Sequence, residues 1–270
     1  MAYLECKIDS PIQVRQENDI CWIGLNNPER KNALSKQMLM TLHRTLKDAS
    51  QDGSNRVIIL YGEGGFFSSG ADLEWMRSAK NQTIQENEED ARLFFKVFET
   101  LYHFPIPVIT WVQKFAFGGA TGLIACSDIS IAEKDTKFAF PEVKLGLTPA
   151  TIAPFILKKT GLAAAQSLML TGELFTAKKA KKIGLITHAL KVTESKPKVL
   201  DIANQLMKNG PESLADTKHL LHRIVEKGEI SDEMGHYCGR MIASSRASKE
   251  GQEGVNAFFE KRTPDWVKDN

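Results

Sequence analysis

Two short, unbroken apolar runs constrain this chain most. Val57-Ile58-Ile59-Leu60-Tyr61 and Val108-Ile109-Thr110-Trp111-Val112 have no polar alternation, the pattern of strands covered on both faces in the sheet of an α/β protein. Each run exits into glycine. The first continues as Gly62-Glu63-Gly64-Gly65-Phe66-Phe67-Ser68-Ser69-Gly70-Ala71-Asp72-Leu73, and the second leads to Phe117-Gly118-Gly119 and an apolar helical segment over 120–126. Upstream, 12–14 and 20–25 read as two strands around a turn. Ser35 is an N-cap candidate for a helix carrying Met38, Leu39, Leu42, Leu46 and Ala49, which Gly53 ends. Strand, loop and helix thus recur, which predicts a layered α/β domain of crossover units.

The remaining segments fill in around this frame. Residues 76–90 are polar and read as a mobile stretch, followed by an amphipathic helix over 93–104 that Pro105-Ile106-Pro107 stops. Helices are expected at 152–159, 163–170 and 177–183, with a last short strand at Leu185-Ile186. From residue 194 the pattern is helical only, over 199–208, 212–227, 231–247 and 248–261. The expected organisation is an α/β core over 1–193 and a C-terminal helical region over 194–270.

With 42% hydrophobic and 25% charged residues among 270, the chain can form a sizeable core, and global disorder is excluded. A net charge of +2 gives no electrostatic case for nucleic acid. Cys6, Cys21, Cys126 and Cys238 are scattered without a CxxC pair, so reduced thiols in a cytoplasmic protein are expected, with no metal. His219 and His222 lack a third ligand nearby. The N-terminus lacks a secretory pattern, and no run approaches the roughly 20 apolar residues of a membrane span.

The chemistry concentrates between Phe117 and Leu147. A glycine pair before a helix lets backbone approach a ligand and leaves unpaired N–H groups facing it. The exit of the first strand has the same design, with Ala71 where the second has Gly119. If the sheet brings both exits together, the two N–H groups form an oxyanion hole able to stabilise an enolate on a thioester carbonyl, at roughly 3 kcal/mol per donor. Glu142 is the one carboxylate in Phe138-Ala139-Phe140-Pro141-Glu142-Val143. Apolar surroundings raise a carboxyl pKa toward values suited to proton transfer near neutrality. Asp72 reads as a helix-start carboxylate, and Lys178, Lys179, Lys181 and Lys182 as a solvated run. Met38, Met40, Met169 and Trp75 read as core or pocket lining.

Taken in order, SSGADL, FGGATGL, ACSDI, FAFPEVKLGL and AFFEKR resemble the crotonase family, the enoyl-CoA hydratase/isomerase superfamily, over nearly the whole chain. The resemblance implies a spiral of ββα units with a C-terminal helical region that makes homotrimers, often paired into hexamers. It further implies Ala71 and Gly119 as oxyanion donors and Glu142 as catalytic acid/base. Coenzyme A belongs to the substrate, and no separate cofactor is implied. By the same resemblance, CoA runs by Arg30 and Lys31 and past Ser69, Ala71 and Leu73, with Phe258 and Lys261 wrapping it, often from an adjacent subunit. Two departures stand out. Gly122 occupies the position of a second catalytic glutamate, and Gln113-Lys114 stands where many members have Asn-Gly; solvent exposure is the expectation for Lys114. The wording from Gly118 to Pro154 is similar to the methylglutaconyl-CoA hydratase branch. The expected activity is hydration of a 2-enoyl-CoA. A Δ3,Δ2-enoyl-CoA isomerase and a non-catalytic acyl-CoA-binding protein are the alternatives.

Overall fold

Continuous apolar runs become central strands here because their alternate side chains enter two different cores. The computed structural model describes residues 10–268, so Cys6 and the reading of the first nine residues lie outside it. The chain opens with a hairpin, β1 (Ile12–Glu17) and β2 (Ile20–Leu25), followed by α1 (Lys36–Gln51) and β3 (Val57–Gly62). Next come α2 (Leu73–Ser78), α3 (Ile84–Tyr102), β4 (Val108–Val112), the very short β5 (Phe115–Phe117) and α4 (Gly119–Cys126). β6 (Ile129–Glu133), β7 (Lys137–Ala139), α5 (Ala153–Thr160), α6 (Leu162–Thr171), β8 (Phe175–Thr176), α7 (Ala177–Lys182) and β9 (His188–Leu190) complete the α/β part. Four helices follow: α8 (Val192–Met207), α9 (Pro211–Lys227), α10 (Asp232–Ala247) and α11 (Lys249–Glu260).

One sheet has six strands in the order β1-β2-β3-β4-β6-β9, parallel except for the hairpin. A second, small sheet has the order β5-β7-β8, with β5 and β7 parallel and β8 antiparallel. Ile58 and Leu60 of β3 join Leu39, Leu42, Val97 and Leu123 in the larger core. Val57, Ile59 and Tyr61 enter a second core with Trp22, Ile131, Val199 and Ala203. Burying an aliphatic side chain of this size contributes about 1.5–3 kcal/mol, so neither face of β3 can be stripped cheaply. The division expected at residues 193 and 194 falls inside α8, which supplies Val199 and Ala203 to that second core.

Four local expectations need correction. Residues 76–90, read as mobile, carry the end of α2 and the first turns of α3. α3 starts at Ile84, not at 93, because Thr83 and Glu86 form a capping box: the Thr83 hydroxyl accepts from Glu86 N at 3.2 Å and the Glu86 carboxylate from Thr83 N at 2.7 Å. Its opening turns are polar because solvent, not core, surrounds them. Leu185 and Ile186 are buried in the turn after α7, and the last strand is His188–Leu190. Met40 is 56% exposed and is neither core nor pocket lining, whereas Met38 is fully buried.

Candidate active site

β5 is the element from which the site is assembled. On one side it bonds the exit of β3: Ser68 N donates to Phe115 O at 3.3 Å, and Phe117 N to Ser68 O at 3.4 Å. On the other it pairs with β7, placing Phe117 opposite Ala139, and Gly118 N donates to Ala139 O at 3.0 Å. The loop holding Ala71 and the loop holding Glu142 therefore hang from opposite edges of one three-residue strand.

Two glycines permit this closeness. Gly70 has φ +92°, and a Cβ there would sit 2.5 Å from the Phe117 carbonyl oxygen. Gly118 has φ +48°, and a Cβ there would sit 2.9 Å from Glu142 Oε1. Both the left-handed backbone and the missing side chain are required. Leu34 brackets the first loop, donating N–H to Gly70 O at 2.7 Å and accepting from Asp72 N at 3.2 Å.

The N–H groups of Ala71 and Gly119 find no acceptor among the described residues. For Gly119 the cause is its place at the start of α4, where the first amides have no carbonyl one turn back. Glu142 follows Pro141 in a 3-10 turn over Pro141–Leu145. Its Oε2 is buried with no hydrogen-bond partner, and burial pushes its carboxyl above the ordinary glutamate range. An unpartnered buried carboxylate oxygen is costly. Glu142 lines a cavity of about 320 Å³ that Ala71 and Gly119 line as well. The three positions singled out from sequence are thus brought to one cavity, which can hold a polarised carbonyl next to a proton-transfer group.

The position without a second carboxylate is filled by hydrocarbon. A Cβ on Gly122 would lie 2.8 Å from both Ile152 Cγ2 and Phe98 Cζ. Lys114 is exposed and left-handed at φ +52°, with its ammonium 4.4 Å from the Phe66 ring centroid. That backbone explains why glycine suits position 114.

The remaining predicted residues are placed as follows. Arg30 pairs with Glu74 at 2.7 Å and Asp72 at 3.3 Å. Asp72 caps α2, accepting from the backbone N–H groups of Glu74 and Trp75. Lys31 O accepts from Ser69 N at 3.0 Å, so the 30–31 loop lies against the Ser69–Ala71 loop. Leu73 is exposed at the start of α2. Phe258 on α11 and Lys261 at its C-cap are exposed and do not line the Glu142 cavity within one chain. His219 bonds the Tyr237 hydroxyl at 3.2 Å, and His222 stacks on Tyr102 at 4.0 Å. Residues 74–95, the stretch whose position in the sequence suggests the acyl pocket, do supply Asn87, Asp90 and Phe94 to the cavity lining, whereas Thr148 and Thr151 beyond Leu147, which sequence reasoning missed, line it as well. The Thr83-x-x-Glu86 capping signal could have exposed α3 as an ordered wall.

The profile of the enoyl-CoA hydratase/isomerase family matches residues 15–269. The chain belongs to the enoyl-CoA hydratase/isomerase family. A Thermus thermophilus relative, provisionally named an enoyl-CoA hydratase, is 30% identical over 249 residues, spanning 92% of this chain and 98% of that protein. The 2,3-dehydroadipyl-CoA hydratase of Escherichia coli is 29% identical over 259 residues, spanning 95% and 98%. Among solved structures, an enoyl-CoA hydratase from Shewanella pealeana superimposes with a TM-score of 0.91 at 36% identity, covering 94% of this chain and 95% of that one. The crotonase-type α/β fold with its C-terminal helices is therefore that of the family. No helix among the described residues is long and apolar enough to cross a membrane.

Proposed function

We propose that this member of the enoyl-CoA hydratase/isomerase family adds water across the double bond of a 2-enoyl-CoA. The observation that carries the reading is that Glu142, whose Oε2 is buried without a hydrogen-bond partner, lines the same cavity as Ala71 and Gly119. The thioester carbonyl accepts from the Ala71 and Gly119 N–H groups. Glu142, ionised, takes a proton from one water as its oxygen bonds C3. The electron pair of the double bond moves to the carbonyl oxygen as an enolate, which the two donors stabilise by about 3 kcal/mol each. Glu142 then returns the proton to C2, the carbonyl re-forms, and the enzyme ends as it began. Arg30, Lys31, Ser69, Leu73, Phe258 and Lys261 are the proposed CoA contacts. The exposure of Phe258 at 79% and Phe259 at 77% supports assembly through the C-terminal helices, as a trimer or a hexamer. The free thiols Cys21, Cys126 and Cys238 support a cytoplasmic setting.

Two carboxylated substrates are candidates on likeness alone: 3-methylglutaconyl-CoA, from the branch the sequence resembles, and 2,3-dehydroadipyl-CoA, from the name of the E. coli relative. The isomerase reading has one observation in its favour, the hydrocarbon at Gly122, since shifting a double bond needs one base and no bound water. Turnover of the purified protein on crotonyl-CoA, followed as loss of enoyl-thioester absorbance, tests the proposal. Glu142→Gln should lower that rate about 10²–10⁴-fold, the usual contribution of a general acid/base. Gain of conjugated absorbance on a 3-enoyl-CoA alone would establish the isomerase. Binding without either reaction would leave an acyl-CoA-binding protein.

A further inference from the structure

Beyond Ala71, Gly119 and Glu142, the cavity wall comes from α2, α3 and the 147–151 loop. Its surface is predominantly aromatic and aliphatic, with Asn87, Thr148 and Thr151 as its neutral polar groups: the Trp75 and Phe94 rings stack 5.3 Å apart at 11°, facing the same space as Leu147 and Pro149. The charged side chains of the lining are both carboxylates, Glu142 and Asp90, and no lysine, arginine or histidine lines the cavity among the described residues.

Asp90 is held from three directions. Lys36 Nζ donates to Oδ1 at 2.7 Å, while Trp75 Nε1 and Gln82 Nε2 donate to Oδ2 at 2.8 and 3.1 Å. Burial favours its protonated form, but these three donors outweigh that and hold its carboxyl below the ordinary aspartate range. Its side chain is 12% exposed, so solvent and salt screen its charge little. The bond to Trp75 also fixes the indole plane against Phe94. Lys36 is already matched by Asp90 and offers no free cation to a ligand.

We infer that this cavity selects acyl groups with an uncharged, apolar distal end, and that the Lys36–Asp90–Trp75 arrangement rejects chains carrying a second carboxylate. This rests on the cavity being the acyl site of the proposed hydratase. A distal carboxylate entering it leaves water, meets Asp90 of like sign, and finds no counter-ion. A hydrocarbon end meets Trp75 and Phe94. Both carboxylated candidates, 3-methylglutaconyl-CoA and 2,3-dehydroadipyl-CoA, are therefore disfavoured.

Calorimetric titration with hexanoyl-CoA and glutaryl-CoA tests this independently of turnover, because both are saturated and cannot be hydrated. The wild-type protein should bind hexanoyl-CoA at least about tenfold more tightly, a difference of about 1.4 kcal/mol. Asp90→Asn removes the negative charge and frees Lys36, so it should shrink that ratio by about tenfold or more. Lys36→Met leaves Asp90 without its cation and should widen the ratio; it also serves if Asp90→Asn does not fold. Equal affinities, tighter glutaryl-CoA, no binding of either, or a ratio unmoved in a folded variant overturns the inference. Selective binding of hexanoyl-CoA without turnover of 2-hexenoyl-CoA would overturn the hydratase reading instead and leave the selectivity standing.

Discussion

Restoring a side chain at residue 122 tests why the second carboxylate is absent. In Gly122→Ala the new methyl would lie 2.8 Å from Ile152 Cγ2 and 2.8 Å from Phe98 Cζ, closer than carbon atoms pack. Overpacking a core position by a methyl costs about 1–3 kcal/mol, while replacing glycine by alanine within a helix returns about 1 kcal/mol. The net expectation is a loss of about 0–2 kcal/mol, a drop in Tm of up to about 8 °C at the roughly 2–4 °C per kcal/mol of a chain this size. Gly122→Glu adds a carboxylate facing Phe98 and Ile152 with no partner, so a further loss of several kcal/mol is expected, with no gain in hydration. Thermal unfolding by circular dichroism, paired with crotonyl-CoA turnover, reads both effects. A Gly122→Glu protein as stable as the parent, or one that hydrates faster, would refute the argument that Phe98 and Ile152 close this position.

Two further outcomes follow from local geometry. Because burial raises the Glu142 pKa, the native state keeps this proton at pH values where the unfolded chain has lost it. Stability should therefore fall as pH rises from the ordinary glutamate value through the raised one. Glu142→Gln removes that dependence, so in urea titrations its advantage over the parent should grow with pH; an advantage that shrinks would contradict the burial assignment. At Lys114, left-handed at φ +52°, both Lys114→Gly and Lys114→Ala lose the contact with Phe66, but glycine alone relieves the backbone. Lys114→Gly should be the more stable of the two by about 1 kcal/mol, measured by the same titration.

Short-range patterns carried the strands. The unbroken runs at 57–61 and 108–112 became β3 and β4 because each has cores on both faces. The glycine loops and Glu142 were also legible, since residue type at an exact position encodes them. The partner of each glycine was not legible. Gly118, read as making room for a ligand, makes room for Glu142, and Gly70 makes room for Phe117. These contacts span 24 and 47 residues of sequence, and no local periodicity reports them. Composition misled at 76–90, where a polar surface concealed ordered helix. The bonds joining Asp90 to Lys36 and Trp75 depend on how α1, α2 and α3 meet, which the sequence pattern does not specify.

The three residues of β5 act as a ruler. The separation between Ala71 and Glu142, the proposed carbonyl-binding and proton-transfer positions, is set by one strand width on either side of Phe115–Phe117, whereas the rest of the cavity wall is borne by α2, α3 and the 147–151 loop, outside this small sheet. On the proposed function, reaction and substrate choice therefore rest on different stretches of chain. The 73–94 segment is free to diverge, exchanging one acyl group for another, while a single insertion or deletion within 115–118 would uncouple the two halves of the chemistry at once.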